Sequence, residues 1–318
     1  MWISPYKYVL SLGHLCSDIN QSILSAVLPF LIATYHYDYT TATMLVTVSN
    51  VFGAFVQPFI GMLSDKKNRL LYMTLSVSLA SGGMAVTGFI SNFFGLWIVV
   101  IISGIGVAMF HPQAAKLVNS VSSKNAKGKG MSIFSFGGKV GFTLGPVYTA
   151  FLMNLFGMKG TILFLIPGIA FGIVCSFFNK DFENLDVLEV EKKEKVKSEQ
   201  KDDWSGFIKL CGVVFSRSIL SNGISTFLAF YFIQQFSKSN SFASMILSVF
   251  YGTGSITLLG GGIADCFGHR KMVRLSFCIF LPAIFIFTNT SHFVIALIML
   301  IFMSCGESLS YSPMVVLG

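Results

Sequence analysis

The chain has 318 residues, 53% of them hydrophobic and 11% charged, and its mean hydropathy is +0.72. Soluble domains carry roughly 25% charged residues, so the composition excludes an ordinary water-soluble globule and points to a chain solvated by lipid. The net charge of +8 would suit nucleic acid, but the basic residues are scattered over short loops instead of gathered into one patch, which excludes that partner.

Runs of about 20 residues nearly free of charge recur along the sequence, each long enough to cross a hydrocarbon core of about 30 Å as a helix. The first, residues 8–34, carries His14, Asp18, Asn20 and Gln21. It therefore lacks the simple apolar core of a cleavable signal and is expected to stay in the protein. Spans at 41–64, 70–91, 93–119, 130–155 and 159–179 follow. LWIVVIISGIGVAMF (96–110) and ILFLIPGIAFGIVCSFF (162–178) are unbroken apolar runs; barrel strands alternate over about ten residues, so these spans are helices. Residues 180–204 form a charge-dense segment with no apolar face, expected to be a solvated linker. KKEKVK at 192–197 could touch anionic lipid, but the acids around it favour a simple tether. Four more spans follow at 205–236, 241–264, 271–290 and 292–317. The expected fold class is an all-α membrane protein of about ten transmembrane helices, a six-helix bundle over 1–179 and an incomplete four-helix bundle over 205–318.

Basic residues cluster after the second span (Lys66, Lys67, Arg69), the fourth (Lys116, Lys124, Lys127, Lys129) and the eighth (Arg270, Lys271, Arg274), while the alternate loops hold few charges. The positive-inside rule then places the N-terminus, the linker and the basic loops in the cytoplasm. GMLSDKKNRL from Gly61 and GGIADCFGHR from Gly261 superimpose at an offset of 200, aligning Asp65 with Asp265. Each closes the second helix of a set, so the chain reads as an internal repeat.

This glycine-aspartate-basic motif (Gly61, Asp65, Lys66, Arg69; Gly261, Asp265, Gly268, Arg270), repeated across a charged central segment, resembles that of the major facilitator superfamily of secondary transporters. GHLCSDINQS (13–22), FVQPFIGMLSDK (55–66), FHPQAAKLV (110–118) and FGGKVGFTLGP (136–146) look like the fosmidomycin-resistance branch of drug exporters. The resemblance implies a two-bundle fold working by alternating access, a gate formed by the repeated motif, and an antiporter-like motif at Gly141, Gly145 and Pro146. It also implies twelve helices. The chain is expected to lack the last two, which leaves open a truncated, inactive fragment or a separate chain supplying them. Asn68 stands where the motif has glycine, a mild departure, since Asn tolerates left-handed backbone angles.

Of fourteen acidic residues nine lie in 181–203, and only Asp18 and Glu307 fall inside spans. Ionisable groups in hydrocarbon usually face a cavity or a partner and mark a pathway, so these two are the expected proton carriers. His14, Gln21, His111, Lys139 and Arg217 are the expected cavity residues. His14 and Asp18 stand one turn apart on one helix face, and the 200-residue offset lands Arg217 beside Asp18, so a structural ion pair between Asp18 and Arg217 is the alternative to proton transfer. The histidines read equally as hydrogen-bonded pocket residues, and the small-x-x-x-small spacing of Gly141 and Gly145 equally as tight helix packing.

The six cysteines show no metal-ligand spacing, and no phosphate loop, H-E-x-x-H or paired carboxylate motif occurs. An enzyme, a cofactor and a metal are therefore not expected. The leading expectation is proton-coupled efflux of a small, anionic or phosphonate-like molecule through the lipid bilayer, with uptake of a metabolite or organic anion as the alternative.

Overall fold

The computed structural model describes residues 6–63, 69–121, 127–178, 204–257 and 268–309. Among them every regular element is helical. The chain divides into two compact units, Met1–Ser198 and Glu199–Gly318.

In the first unit α1 (Tyr6–Tyr35) is the axis, with buried side chains from Lys7 to Leu31 on all its faces, the mark of a helix enclosed by others. Around it stand α2 (Tyr39–Leu63), α3 (Arg69–Ala85), α4 (Phe93–Val121), α5 (Lys127–Phe156) and α6 (165–178). Glycine sets how closely they approach. A Cβ on Gly83 of α3 would lie 2.5 Å from the Val99 carbonyl oxygen of α4, and one on Gly106 of α4 would lie 2.5 Å from the Ala80 nitrogen of α3. Lipid gives no hydrophobic drive for helix association, so close backbone packing and interhelical hydrogen bonds such as Ser103 Oγ to the Ala80 carbonyl (2.9 Å) hold the pair. Phe110 and Phe171 meet edge-to-face at 6.1 Å beneath Gly13.

Two expected spans end differently. α3 stops at Ala85 instead of running to residue 91, and a 3-10 turn, Thr87–Phe89, follows. Gly82 and Gly83 weaken the last turn, and the Gly88 carbonyl is taken by the Tyr35 hydroxyl (3.1 Å) while its amide donates to Thr161 Oγ1 (3.1 Å). Residues 159–164 are 3-10 as well, within Gly157–Phe164. Gly157, at φ +57°, reverses the chain, a backbone angle that glycine adopts freely. Without the reversal, the 49 apolar helical residues Gly130–Phe178 would reach about 73 Å at 1.5 Å each, far beyond a bilayer. Pro167 then falls in the first turn of α6, where its missing N–H leaves no bond unmade.

The second unit comprises α7 (Trp204–Phe236), α8 (Asn240–Thr257), α9 (His269–Asn289) and α10 (Phe293–Leu309), and it repeats the local devices of the first. α1 and α2 are joined through His36 at φ +57°, and α7 and α8 through Ser237 at φ +50°. Asp38 Oδ1 accepts the Thr41 amide (2.7 Å) at the start of α2, and Ser239 Oγ accepts the Phe242 amide (3.2 Å) at the start of α8. Tyr35 reaches the turn between α3 and α4 just as Tyr231 reaches the Phe287 carbonyl (2.8 Å) before the turn between α9 and α10.

The Asp38 cap has a pH consequence. Its bonds to Thr41 hold the carboxyl below the usual carboxylate range. A depressed folded value means that the cap's stabilisation is present above the unfolded carboxylate pKa and fades as pH falls through the folded one. The first-turn amides of α2 should therefore lose protection, measured against their intrinsic exchange rate at each pH, in acid and in Asp38→Ala, an effect absent from α8, whose cap is a neutral serine.

Tyr6–Tyr35, Tyr39–Ile60, Phe93–Val118, Gly130–Phe178, Trp204–Phe236 and Lys271–Asn289 are long and apolar enough to cross a membrane, and Phe293–Leu309 is a shorter apolar helix. The outward faces agree: Phe94 is 73% and Phe177 79% exposed, an arrangement that lipid stabilises and water does not.

Candidate functional site

Among the described residues, ionisable side chains gather within the helices of each unit. In the first, α1 presents His14 and Asp18 one turn apart, and α4 brings His111 to them. His14 Nε2 stands 3.2 Å from Asp18 Oδ2, and His111 Nε2 stands 3.4 Å from Asp18 Oδ1. The Asp18 side chain is 4% exposed, against 13% for His14 and 29% for His111, so the cluster opens on the His111 side.

The tautomer of His14 follows from its other nitrogen. Nδ1 lies 2.8 Å from the Phe134 carbonyl oxygen on α5. A carbonyl only accepts, so Nδ1 carries a proton. The Nε2 to Oδ2 contact then holds one proton between them, on the imidazole facing a carboxylate or on the carboxyl facing a bare nitrogen. Stacking on Phe134, with centroids 4.0 Å apart, fixes the ring plane.

α5 reaches α1 through glycines. A Cβ on Gly138 would sit 2.5 Å from Asp18 Oδ2 and 2.6 Å from His14 Nε2; on Gly141, 3.1 Å from Asp18 Cβ; on Gly145, 2.8 Å from the Ile19 carbonyl oxygen. Gly141 and Gly145 thus line the α1 contact, and Pro146 next to them is buried. Ser11 Oγ adds a bond to the Ile133 carbonyl (2.8 Å). Lys139 follows Gly138 on α5 and is half-buried, and Gln21 is half-buried on α1 beyond Asp18.

In the second unit Arg217 of α7 and Glu307 of α10 form an ion pair, with side chains 15% and 10% exposed. Ser221, one turn beyond Arg217, donates to Glu307 Oε1 (3.1 Å), and Arg217 also donates to the Glu307 carbonyl oxygen (3.3 Å). A cavity of about 10 Å³, lined by both charges with Ser276, Phe277, Phe280 and Gly306, has room for about one water. Asp18 and Arg217, weighed in the sequence as an alternative ion pair, each have partners within their own unit.

Of the repeated motif, Asp65, Lys66, Gly261 and Asp265 lie outside the described residues. Gly61 closes α2, Arg69 opens α3 and Arg270 lies in the first turn of α9. Gly268, just before α9, adopts φ +90°, a conformation that side chains resist. Sequence reasoning missed Gly138, the Phe134 carbonyl and Ser221. Gly138 stood one position from Lys139 and three before Gly141, which puts it on the same helix face as the small-residue stripe.

The family model described as "Major Facilitator Superfamily" matches residues 10–318. An uncharacterized MFS-type transporter of Bacillus subtilis (strain 168), YfnC, is 24% identical over 85% of this chain. The fosmidomycin resistance protein of Escherichia coli (strain K12) is 23% identical over 83% of it. The chain spans 68% and 66% of the lengths of these two relatives. Among solved structures, a bacterial homologue of the human lysosomal transporter Spinster, inward-facing and occupied, superimposes with a TM-score of 0.78 at 17% identity, covering 98% of this chain and 73% of that one. With the apolar helices, the repeated capping pattern and this match over nearly its whole length, the chain belongs to the Major Facilitator Superfamily of multi-pass membrane transporters.

Proposed function

We propose that the protein is a proton-coupled secondary transporter that exports a small polar drug or metabolite, with Glu307 and Asp18 as proton carriers. The observation that carries this reading is the ion pair of Glu307 with Arg217 beside a cavity within the membrane helices. A carboxylate in hydrocarbon stays ionised only while a cation or hydrogen-bond donors hold it. When the pair opens during rocking of the helices, Glu307 takes a proton, and when the pair re-forms it releases one.

Alternating access needs a gate, and the repeated motif, from Gly61 to Arg69 and from Gly261 to Arg270, is assigned that role by its repetition in the sequence at an offset of 200. The N-terminus and residues 180–204 are assigned to the cytoplasm on the distribution of basic residues. His14, Gln21, His111 and Lys139 are proposed to face the substrate path in the first unit. The stripe through Gly141, Gly145 and Pro146 lets α5 slide on α1, and Pro146 permits a bend. The exporter reading leans on the likeness to the fosmidomycin resistance protein.

A second reading rests on the same pair. An anion that bound Arg217 would leave Glu307 without its counter-charge and favour its protonation, so anion and proton would travel together, as in uptake.

The experiment is reconstitution of the chain in liposomes with a pH-sensitive dye inside and an imposed proton gradient, challenged with fosmidomycin and with small organic anions. Efflux predicts substrate-dependent proton movement against the direction of substrate, and uptake predicts both moving together. Glu307→Gln should abolish coupled flux, and Asp18→Asn should reduce it about a hundred-fold or more, the loss typical of a positioned proton-transfer group. Flux unchanged in both variants would remove the carboxylates from the coupling and sink the proposal.

A further inference from the structure

The geometry points to a binding site for a divalent first-row transition-metal ion, zinc or a neighbour of zinc, made by His14, Asp18 and His111. The inference goes beyond the transport reading and does not rest on it. Nothing in the sequence spacing announced a ligand set, because α1 and α4 assemble it in space.

Each of the three side chains offers one donor atom, and all three atoms lie within 4.8 Å of one another. A tetrahedral zinc site, with bonds of about 2.0–2.1 Å to nitrogen and about 2.0–2.2 Å to carboxylate oxygen, separates its ligand atoms by roughly 3.3 Å. The contacts to Asp18 lie near that spacing but run to its two oxygens, 3.2 Å from His14 Nε2 to Oδ2 and 3.4 Å from His111 Nε2 to Oδ1, so the carboxylate would meet an ion held between the imidazoles with one oxygen or with both. The remaining edge, between the two imidazoles, shortens by rotation of His111, the most exposed of the three side chains.

The donor chemistry selects the ion. Magnesium and calcium take oxygen ligands, whereas two imidazoles and one carboxylate suit zinc and its transition-metal neighbours. Support from the next shell is in place. The Nδ1 proton of His14 is given to the Phe134 carbonyl (2.8 Å), which points the Nε2 lone pair at the site, the arrangement that orients metal-binding histidines. Gly138 leaves the space beside Asp18 and His14 clear where any side chain would intrude. Three protein ligands leave at least one position open, and His111 marks the side from which an ion or water would enter. Metal and the proton shared by His14 and Asp18 use the same lone pairs and exclude one another.

The test uses the full chain without a histidine tag, stripped with chelator in detergent and titrated with Co²⁺, then with Zn²⁺. The expected result is one bound Co²⁺ with the visible absorption of a nitrogen and oxygen site and no thiolate charge-transfer band, displaced by Zn²⁺. His111→Ala and Asp18→Asn should each weaken binding by about ten-fold or more, since even partners of ligands lose that much. Helical circular dichroism and a single elution peak establish that each variant is folded, and His14→Gln replaces any that is not. Equal affinity in wild type and variants, thiolate bands, or no binding overturns the inference. Proton flux measured in chelator reads the transport proposal separately, so the two fail independently.

Discussion

Removing Arg217 alone should destabilise the second unit by about 3–5 kcal/mol, while removing Arg217 and Glu307 together should cost far less. The single change takes the guanidinium away from a carboxylate that is 10% exposed, beside whose oxygens stand the neutral Ser221 and Ser308 hydroxyls. An uncompensated buried charge of this kind carries that penalty, whereas replacing both members of a pair with apolar groups is often neutral. Arg217→Leu, Glu307→Leu and the double variant, followed by thermal unfolding in detergent, form a double-mutant cycle. Coupling of several kcal/mol is the expected outcome. Strictly additive losses would show that the pair contributes nothing as a pair. Glu307→Gln keeps an amide oxygen that can still accept from Arg217 and Ser221, so it should cost less stability than Glu307→Leu while proton exchange is lost.

The second large effect is expected on the α1 and α5 contact. Gly138→Val should lower stability by about 1–3 kcal/mol, the usual cost of forcing extra carbons into a packed interior, and should push the Asp18 carboxylate away from His14. A Cβ there already meets Asp18 Oδ2 at 2.5 Å and His14 Cε1 at 2.6 Å, so even alanine should be felt. Gly82→Ala is the control. Nothing lies within 4 Å of a Cβ at Gly82, and alanine favours a helix over glycine by about 1 kcal/mol, so that variant should be as stable as the parent or slightly more so. If Gly138→Ala and Gly82→Ala melt alike, glycine is not what lets α5 reach the cluster.

Hydropathy located the helices because each must hide its backbone from lipid, and that demand writes long apolar runs into the sequence. The same demand hides helix ends when the apolar run continues past them. Val86, Phe89 and Ile90 extend the run of α3, yet the chain there is a 3-10 turn held by Tyr35 and Thr161, partners far away in sequence. Residues 159–164 escaped for the same reason.

At the candidate site, the His14 and Asp18 contact was legible because helical spacing alone places residues four apart together. His111 was legible as a cavity residue but not as a neighbour of Asp18, which depends on how α4 crosses α1. The partner of Arg217 was not legible. An offset between repeats relates equivalent positions, each in its own unit, and equivalence carries no information about contact. Ser221 sits on the Arg217 face of α7, but its role appears only once α10 brings Glu307 to it.

The enclosure of α1 also bears on how the protein is made. Leaving the ribosome ahead of α3, α4 and α5, it carries His14, Asp18, Asn20 and a series of serines into the bilayer before those helices exist to receive them. An aspartate at a helix centre disfavours membrane insertion by about 2.5–3.5 kcal/mol. Asn20 finds its acceptors at the Cys16 carbonyl and Ser81 Oγ, His14 finds its own at the Phe134 carbonyl, and Asp18 finds its second neighbour in His111. Three of these four groups are synthesised at least one helix later. Stable integration of α1 must therefore wait for α3, α4 and α5, and biogenesis of this unit is a cooperative event instead of a helix-by-helix one.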